Sequence, residues 1–384
     1  MNSGVKIIHI SSHYDYVPGY HPPKDGDLYP LASWAGLLAK RMKKRYPQLD
    51  IEVWRPDKTV DKISHKEVLG LNTYLFPVRP LMLARALSFQ MYRRLRMLCK
   101  EHNVVVYCHS IYDSFSIFGP MILPKARFIL IHHGGLPPEL KGDNLKNKLK
   151  HYFISRSYKK VHKLTYQNWI NKDFLRSFLA PEKLNFWVVG ADFVQFKPLG
   201  NKKELRAKYG LNPDTVYGIY VGPYSSLKNV ELILEAYKEL KDKYDFSVIF
   251  IGGGPSDELY GEIHDLGLID FGKVDWYEMN DFYNCADFYI HPIFNFSREA
   301  FGVAPVEAMA ANLPVLSTLL PFLQSEFSID PALLGLPVFN KDEVTQGIEH
   351  MILNHRSYLS VRDYSKKILD AEASIIDIFV GLME

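Results

Sequence analysis

The sequence predicts an α/β protein of two doubly wound domains that face a central cleft. Three observations predict it. Short apolar runs alternate with longer helical patterns along almost the whole chain, as expected for buried parallel strands joined by right-handed helical crossovers. The 384 residues exceed what one compact core accommodates. Charge also changes sign near the middle. Residues 1–200 carry 31 Lys and Arg against 15 Asp and Glu, and residues 201–384 carry 15 against 28. The opposite balances, +16 and −13, predict two surfaces that meet different partners.

In the first half, Val5–Ile10, Ile51–Trp54, Leu71–Pro77, Val104–Cys108, Phe128–Ile131 and Phe186–Val189 read as strands. Leu31–Arg45 repeats apolar residues at helical spacing and ends in a basic turn. In the second half, strands are expected at Tyr217–Val221, Ser247–Ile251, Phe288–His291 and Val315–Ser317, separated by helices such as Asn229–Tyr244 and Val303–Ala311. Phe196-Lys197-Pro198 and Gly200-Asn201 mark the break. The expected domains are therefore 1–197 and 198–360, with a helical tail, 361–384, packing back on the first domain.

Composition excludes several classes. Apolar residues at 47% and charged residues at 23% are globular values, not those of a disordered or fibrous chain. Cys99, Cys108 and Cys285 are few, odd in number and lack metal-ligand spacing, which predicts a reduced, cytoplasmic setting. Met1–Tyr16 shows no apolar stretch after a basic one, so no secretory leader is expected. The longest apolar region, Phe115–Leu136, is broken by Pro120, Pro124, Lys125 and Arg127, so no membrane span is expected either. The protein is expected to be soluble, or peripheral at the cytosolic face of a membrane.

The most informative stretch is Ser297–Thr318, SREAFGVAPVEAMAANLPVLST. Glu299 lies in a loop after a strand, Gly302 opens a helix, and Glu307 follows one to two turns in. Asn312 terminates that helix, because Asn tolerates the left-handed conformation, and Pro314 prevents continuation. The N-terminus of such a helix suits a phosphate, and carboxylates beside it suit sugar or ribose hydroxyls. On spacing alone, Glu299 as a cap and Glu307 as a solvated helix residue fit about equally well.

Tyr220–Leu240 reads as a strand, a Gly-Pro-Tyr-Ser-Ser loop and a helix. Lys228 stands near that helix start, where a cation opposes the dipole, as an anion-binding Lys or an ordinary surface Lys would. Gly252–Gly254 follows another strand as a tight turn or a ligand approach, without a Walker or dinucleotide fingerprint.

These segments resemble glycosyltransferase family 4. EAFGVAPVE, Glu299–Glu307, matches that family's Glu-x7-Glu motif, and VGPYSSLKN, Val221–Asn229, its phosphate-binding strand-loop-helix. VVGADFVQFKP, Val188–Pro198, resembles the segment before the interdomain crossover. VVVYCHS, Val104–Ser110, and LIHHGG, Leu130–Gly135, resemble strands that deliver histidines to the cleft. The resemblance covers about residues 100–320. It implies the GT-B fold, two Rossmann-like domains facing a cleft, and retaining transfer from a nucleotide sugar without a metal or further cofactor.

It also implies roles. Glu299 would contact donor hydroxyls, Phe301 and Gly302 would offer backbone N–H groups, and Glu307 would hold the ribose. Lys228 would neutralise the diphosphate leaving group, and His109 would sit beside the reacting carbon. Gly222, Ser225, Gly253, Arg298, Ala300 and Val303 would line the donor. Gly19, His132 and His133 would lie on the acceptor side, with only one of the two adjacent histidines facing the cleft. Pro223 stands where the family usually has Arg, and Arg298 is the candidate substitute.

Asp25-Gly26-Asp27 imitates a metal-binding Asp-x-Asp, but its Pro/Gly-rich setting favours a solvated turn, so no metal is expected. The competing functions are a nucleotide-sugar epimerase of the same fold and a nucleic-acid-binding protein using the basic half. The latter lacks a recognisable RNA-binding signature. Basic stretches at Val78–Lys100 and Lys141–Lys163 carry apolar residues at helical spacing, which suits an anionic membrane surface and a lipid-linked glycan acceptor.

Overall fold

The computed structural model describes residues 5–11, 34–57, 60–81, 84–111, 113–133, 145–167, 169–188, 190–254, 256–294 and 302–370. The chain divides into two compact units between Trp187 and Val188. This lies upstream of the expected 197/198 boundary.

The first unit runs β1 (Val5–Ile10), α1 (Trp34–Arg45), β2 (Asp50–Asp57), β3 (Ser64–Val68), β4 (Leu71–Pro77), β5 (Arg79–Leu81), β6 (Ala84–Leu87), α2 (Phe89–Glu101) and β7 (Asn103–Cys108). It continues with α3 (Ser114–Ile122), β8 (Arg127–Leu130), α4 (Leu145–Tyr158), β9 (Lys163–Tyr166), α5 (Trp169–Arg176) and β10 (Leu184–Phe186). Eight strands form one sheet in the order β10-β9-β8-β7-β1-β2-β4-β3. Its central strands are apolar on both faces: Ile7, Ile8 and Ile10 of β1 and Val104–Cys108 of β7 are buried, as helix-covered parallel strands require. From β1 the chain winds outward through β2 to β4, then restarts at β7 and winds the other way to β10. The reversal point therefore lies between β1 and β7.

Edge strand β3, Ser-His-Lys-Glu-Val, carries no apolar run for sequence reading to detect. It forms by antiparallel pairing with β4, and its charged residues suit an exposed edge. The expected strand at Phe186–Val189 ends earlier, at Phe186. The basic stretch from Val78 is not one helix. Arg79–Leu81 and Ala84–Leu87 pair as an antiparallel hairpin, and helix starts only at Phe89. Arg94 of that helix is half-buried. Its guanidinium lies 4.1 Å from the centroid of Tyr74 and 3.6 Å from Glu52, while Lys6 reaches Glu52 at 2.9 Å and Asp50 at 2.7 Å.

The second unit contains α6 (Lys202–Lys208), β11 (Val216–Gly222), α7 (Val230–Leu240), β12 (Phe246–Gly252), α8 (Asp257–Asp265), β13 (Ile269–Asp270) and α9 (Met279–Cys285). Then follow β14 (Phe288–His291), α10 (Val303–Ala310), β15 (Val315–Ser317), α11 (Leu320–Phe327), β16 (Gly335–Pro337), α12 (Glu343–Asn354) and α13 (Val361–Leu369). The six strands are all parallel, in the order β13-β12-β11-β14-β15-β16, so the reversal falls between β11 and β14. Val248, Phe250, Phe288, Ile290 and Leu316 from the sheet pack with Ile233, Leu234, Ile348 and Met351 from the helices.

Asn312 has φ +66° and ends α10 as its residue type predicts. Its Oδ1 accepts the Arg362 N–H at 3.0 Å. The Arg362 guanidinium donates to the carbonyls of Phe193, Phe196 and Ala310. A cation at the C-terminal carbonyls of α10 also complements the helix dipole. Helix α13 thus packs against α10 within the second unit, and residues 371–384 of the expected returning tail lie outside the described ones.

Candidate active site

Ligands of doubly wound sheets bind beyond the carboxyl ends of the strands, at the reversal point. In the second unit the segments leaving β11 and β14 meet there. Gly222 ends β11, and a 3-10 turn follows at Ser226–Lys228, whose Lys228 N–H donates to the Ser225 carbonyl at 3.0 Å. Asn229 takes the left-handed conformation, φ +52°, before α7 begins at Val230. Its amide donates to the Pro292 carbonyl at 2.7 Å, stitching the β11 loop to the end of β14. Lys228 therefore sits in a tight turn preceding the helix, not inside its first turn.

His291 ends β14. A Cβ at Gly302 would lie 3.2 Å from His291 Nε2, so the glycine lets the start of α10 close on this ring. Burial and then the charge of Lys228 push His291 down to about 3. Lys228, His291 and Gly302 thus share one neighbourhood: one cation, one neutral imidazole and a helix start whose N-cap residue, glycine, has no side chain to cap it. That combination favours an anion.

The Gly-rich turn has two functions. A Cβ at Gly252 would lie 2.1 Å from the Gly222 carbonyl oxygen, and one at Gly254 would lie 2.7 Å from Tyr224 N. These glycines let the loops after β11 and β12 touch. Gly253, φ +118°, has nothing within 4 Å of a Cβ and forms the open side of the turn.

Glu307 is buried on α10, not solvated. Its Oε1 accepts from Trp276 Nε1 at 3.1 Å and its Oε2 from Tyr283 Oη at 3.0 Å. Phe196 packs edge-on against both rings, with centroids 5.4 and 5.8 Å away. Asp192 shapes that segment by accepting the Val194 and Gln195 N–H groups at 2.9 and 3.1 Å. Burial and then Glu307 raise the Tyr283 hydroxyl well above its ordinary value, so it stays a donor. Sequence reading missed Trp276, Tyr283 and His291, which lie outside the recognised motifs. The aromatic enrichment of Trp276-Tyr277 and Tyr283 was their only signal. Arg298, Glu299, Ala300 and Phe301 lie outside the described residues, as do Gly19, Asp25 and Asp27. Val303 opens α10 as its first helical residue.

At the reversal point of the first unit, His109 follows β7, and its N–H continues the parallel ladder to the Ile10 carbonyl at 2.9 Å. Both of its ring nitrogens are engaged, by His9 at 3.1 Å and by His133 at 3.0 Å. His132 and His133 lie just beyond β8. His132 is buried, its N–H donating to Thr165 Oγ1 at 3.2 Å, while half-buried His133 meets His109 and the edge of Trp187. The neighbouring histidines thus differ in burial, His132 buried and His133 half-buried. His9 was not singled out by any sequence pattern, because it reads as one more residue of an apolar strand. Among the described residues, no cluster of three His, Cys, Asp or Glu side chains is arranged to hold a metal.

Each unit thus places its candidate groups at the reversal point of a doubly wound sheet, one rich in histidine and the other with a cation and a helix start. Residues 201–367 match the family model for glycosyl transferases group 1. A D-inositol 3-phosphate glycosyltransferase of Catenulispora acidiphila is 30% identical over 143 residues, 33% of each chain. One from Rhodococcus jostii is 28% identical over 152 residues, 36% of this chain and 32% of its own. The chain spans about a third of the length of these curated relatives. Among solved structures, Anabaena HepE in complex with UDP superimposes with TM-score 0.70 at 15% identity, covering 98% of this chain and 99% of its own. Sucrose-phosphate synthase from Thermosynechococcus elongatus does so with TM-score 0.66 at 14% identity, covering 98% of both. The fold is GT-B, with two Rossmann-like units.

Proposed function

We propose that the protein is a retaining glycosyltransferase that moves a sugar from a nucleotide-sugar donor to a glycan or lipid-linked acceptor without a metal. The observation that carries this reading is the junction of Lys228, His291 and the start of α10 at the reversal point of the second unit. The energetic cost of transfer lies in charge developing on the leaving diphosphate and on an oxocarbenium-like sugar. Lys228 and the α10 N–H groups supply fixed positive potential for the first. Glu299 receives hydroxyls of the sugar. Glu307, held by Trp276 and Tyr283, accepts from the ribose. The leaving phosphate takes the acceptor's proton on the same face.

Calorimetry with UDP tests the anion site. Lys228→Ala should weaken binding by roughly 1.5–3 kcal/mol, the worth of a charged hydrogen bond. Unchanged affinity would remove Lys228 from the phosphate site. The donor itself follows from thermal stabilisation by a panel of nucleotide sugars, since a ligand at 100 times its Kd adds about 2.7 kcal/mol.

The acceptor side draws on two helix faces of the first unit. On α2, Phe89, Arg93, Arg96, Met97 and Lys100 form one exposed row, while Met91 and Leu95 face the core. On α4, Leu145, Lys148, Leu149, Tyr152 and Arg156 form another, while Ile154, Ser157 and Tyr158 are buried. Each helix thus has an inward apolar side and a second, outward side mixing basic with apolar residues, which suits an anionic bilayer. No helix among the described residues is long and apolar enough to cross a membrane, so attachment would be peripheral. Each basic residue at the surface adds about 1 kcal/mol. Binding to vesicles should require anionic lipid and weaken with rising salt. Indifference to anionic vesicles at low salt, with tight binding to DNA or RNA, would overturn the lipid assignment.

A further inference from the structure

His291 closes strand β14 and is the register partner of Ser317 on β15. The residue is 4% exposed, and its one hydrogen bond to a described residue runs from Nδ1 to Ser317 Oγ at 3.2 Å. Tyr289, two positions back on the same strand face, stacks against the ring with centroids 6.2 Å apart. Nε2, at the far side of the ring, meets the start of α10. A Cβ at Gly302 would lie 3.2 Å from His291 Nε2 and 3.2 Å from Pro305 Cδ. Nε2 and the Pro305 ring therefore flank the same point.

Ser317 decides which ring nitrogen carries the proton. Its Oγ accepts the Leu319 N–H at 3.1 Å. A hydroxyl has one proton to give, and a neutral imidazole has one N–H and one lone pair. If Ser317 donates to Nδ1, each of these bonds is satisfied and the imidazole proton stands on Nε2. If Nδ1 held the proton, the hydroxyl proton of Ser317 would be left without an acceptor in a buried site, at the full cost of desolvation. The hydrogen-bond network thus selects the Nε2–H form. Burial and the charge of Lys228 keep the ring neutral.

An α-helix leaves the N–H groups of its first turn without intrahelical partners. Pro305, in the first turn of α10, brings no N–H. The start of α10 therefore has one donor fewer than a helix of other residues would have, on the side of Gly302 that His291 Nε2 faces.

We propose that His291, oriented by Ser317, is a phosphate-binding residue: its Nε2–H donates to an oxygen of the donor's diphosphate beside Gly302, in place of the N–H that Pro305 lacks. Ser317 is its positioning residue. An imidazolium here would repel Lys228, whereas the neutral ring adds a directed hydrogen bond without that cost. The diphosphate as ligand rests on the glycosyltransferase reading, whereas the tautomer does not.

Calorimetry with UDP and with inorganic pyrophosphate tests the assignment on three variants. His291→Asn keeps a polar atom near the Nδ1 position only, His291→Gln reaches the Nε2 position, and His291→Phe keeps the ring without either. Both ligands should bind about tenfold more weakly to the Phe and Asn variants, the loss of one hydrogen bond to a charged group. His291→Gln should restore most of that affinity. Long-range proton–nitrogen NMR of the wild-type chain, labelled at histidine, needs no substitution. His291 should be a single Nε2–H form whose proton resonance moves when UDP is added, and Ser317→Ala should admit the Nδ1–H form. An Nδ1–H form in the wild-type protein overturns the proposal, as does an Nε2–H resonance that ignores UDP. The reverse ranking, with Asn binding like wild type and Gln like Phe, also overturns it, since His291 would then serve only Ser317. If Lys228→Ala weakens UDP but no His291 variant does, the glycosyltransferase reading stands and this proposal falls. If pyrophosphate binds through His291 and UDP does not bind, the phosphate site stands and the nucleotide-sugar donor is overturned.

Discussion

Glu299→Ala should lower turnover by about 10²–10⁴ while leaving folding and UDP affinity near wild type. If each carboxylate oxygen accepts from a donor-sugar hydroxyl, two charged hydrogen bonds worth roughly 1.5–3 kcal/mol each are lost. At about 1.4 kcal/mol per factor of ten, that gives the stated range. The loss falls on kcat if the bonds tighten as the sugar gains oxocarbenium character. Glu299 lies three residues before Gly302, on the connection from β14 to α10, outside the described residues. The phosphates are assigned to different groups, Lys228 and the start of α10, so nucleotide affinity is the control. Steady-state rates beside UDP calorimetry check both halves. Near-normal turnover would remove Glu299 from the chemistry, and equal loss of UDP binding would show a disrupted site.

Arg206→Ala should cost about 3–5 kcal/mol of stability, the range for breaking one side of a buried ion pair. Arg206 Nη2 lies 2.6 Å from Asp287 Oδ2, with both side chains buried. The same guanidinium donates to the carbonyls of Cys285, Pro213 and Thr215 at 2.8–3.1 Å. Removal leaves those acceptors short of a partner and Asp287 with Lys202 and the Tyr217 N–H. Burial alone would push Asp287 up. Lys202, the Tyr217 N–H and Arg206 together draw it below the ordinary 3.8. A carboxyl depressed by folding stabilises above its unfolded pKa, and that contribution fades as pH falls through the folded value. The deficit of Arg206→Ala should therefore be greatest near neutral pH and shrink below about pH 4. Urea melts at several pH values measure it. This network joins α6 to the segments entering β11 and β14, opposite the carboxyl ends of those strands. UDP affinity of the folded fraction should be unaffected.

Much of this molecule is legible from local pattern. Leu71–Pro77, Phe288–His291 and Val315–Ser317 occur as strands where their apolar runs stand. Asn312 ends its helix because the residue type tolerates positive φ. Gly302 precedes α10, whose Pro305 falls in the first turn, where proline is tolerated. Burial of one face acts on residues two to four positions apart, so periodicity records it in the sequence. The polar edge strand Ser64–Val68 escapes that logic, because antiparallel pairing and not an apolar face makes it a strand.

The sequence by itself determined two wound α/β units, the order of their strands along the chain, and the positions of Lys228, Gly302 and Glu307. Only the tertiary structure decided what those groups meet. Trp276 and Tyr283 hold Glu307, Arg94 covers Tyr74, and His9 closes on His109 across 100 residues. The physical reason is that a buried polar side chain must find its partner among whichever strand ends the topology juxtaposes. That choice is set by sheet order, which no local spacing encodes.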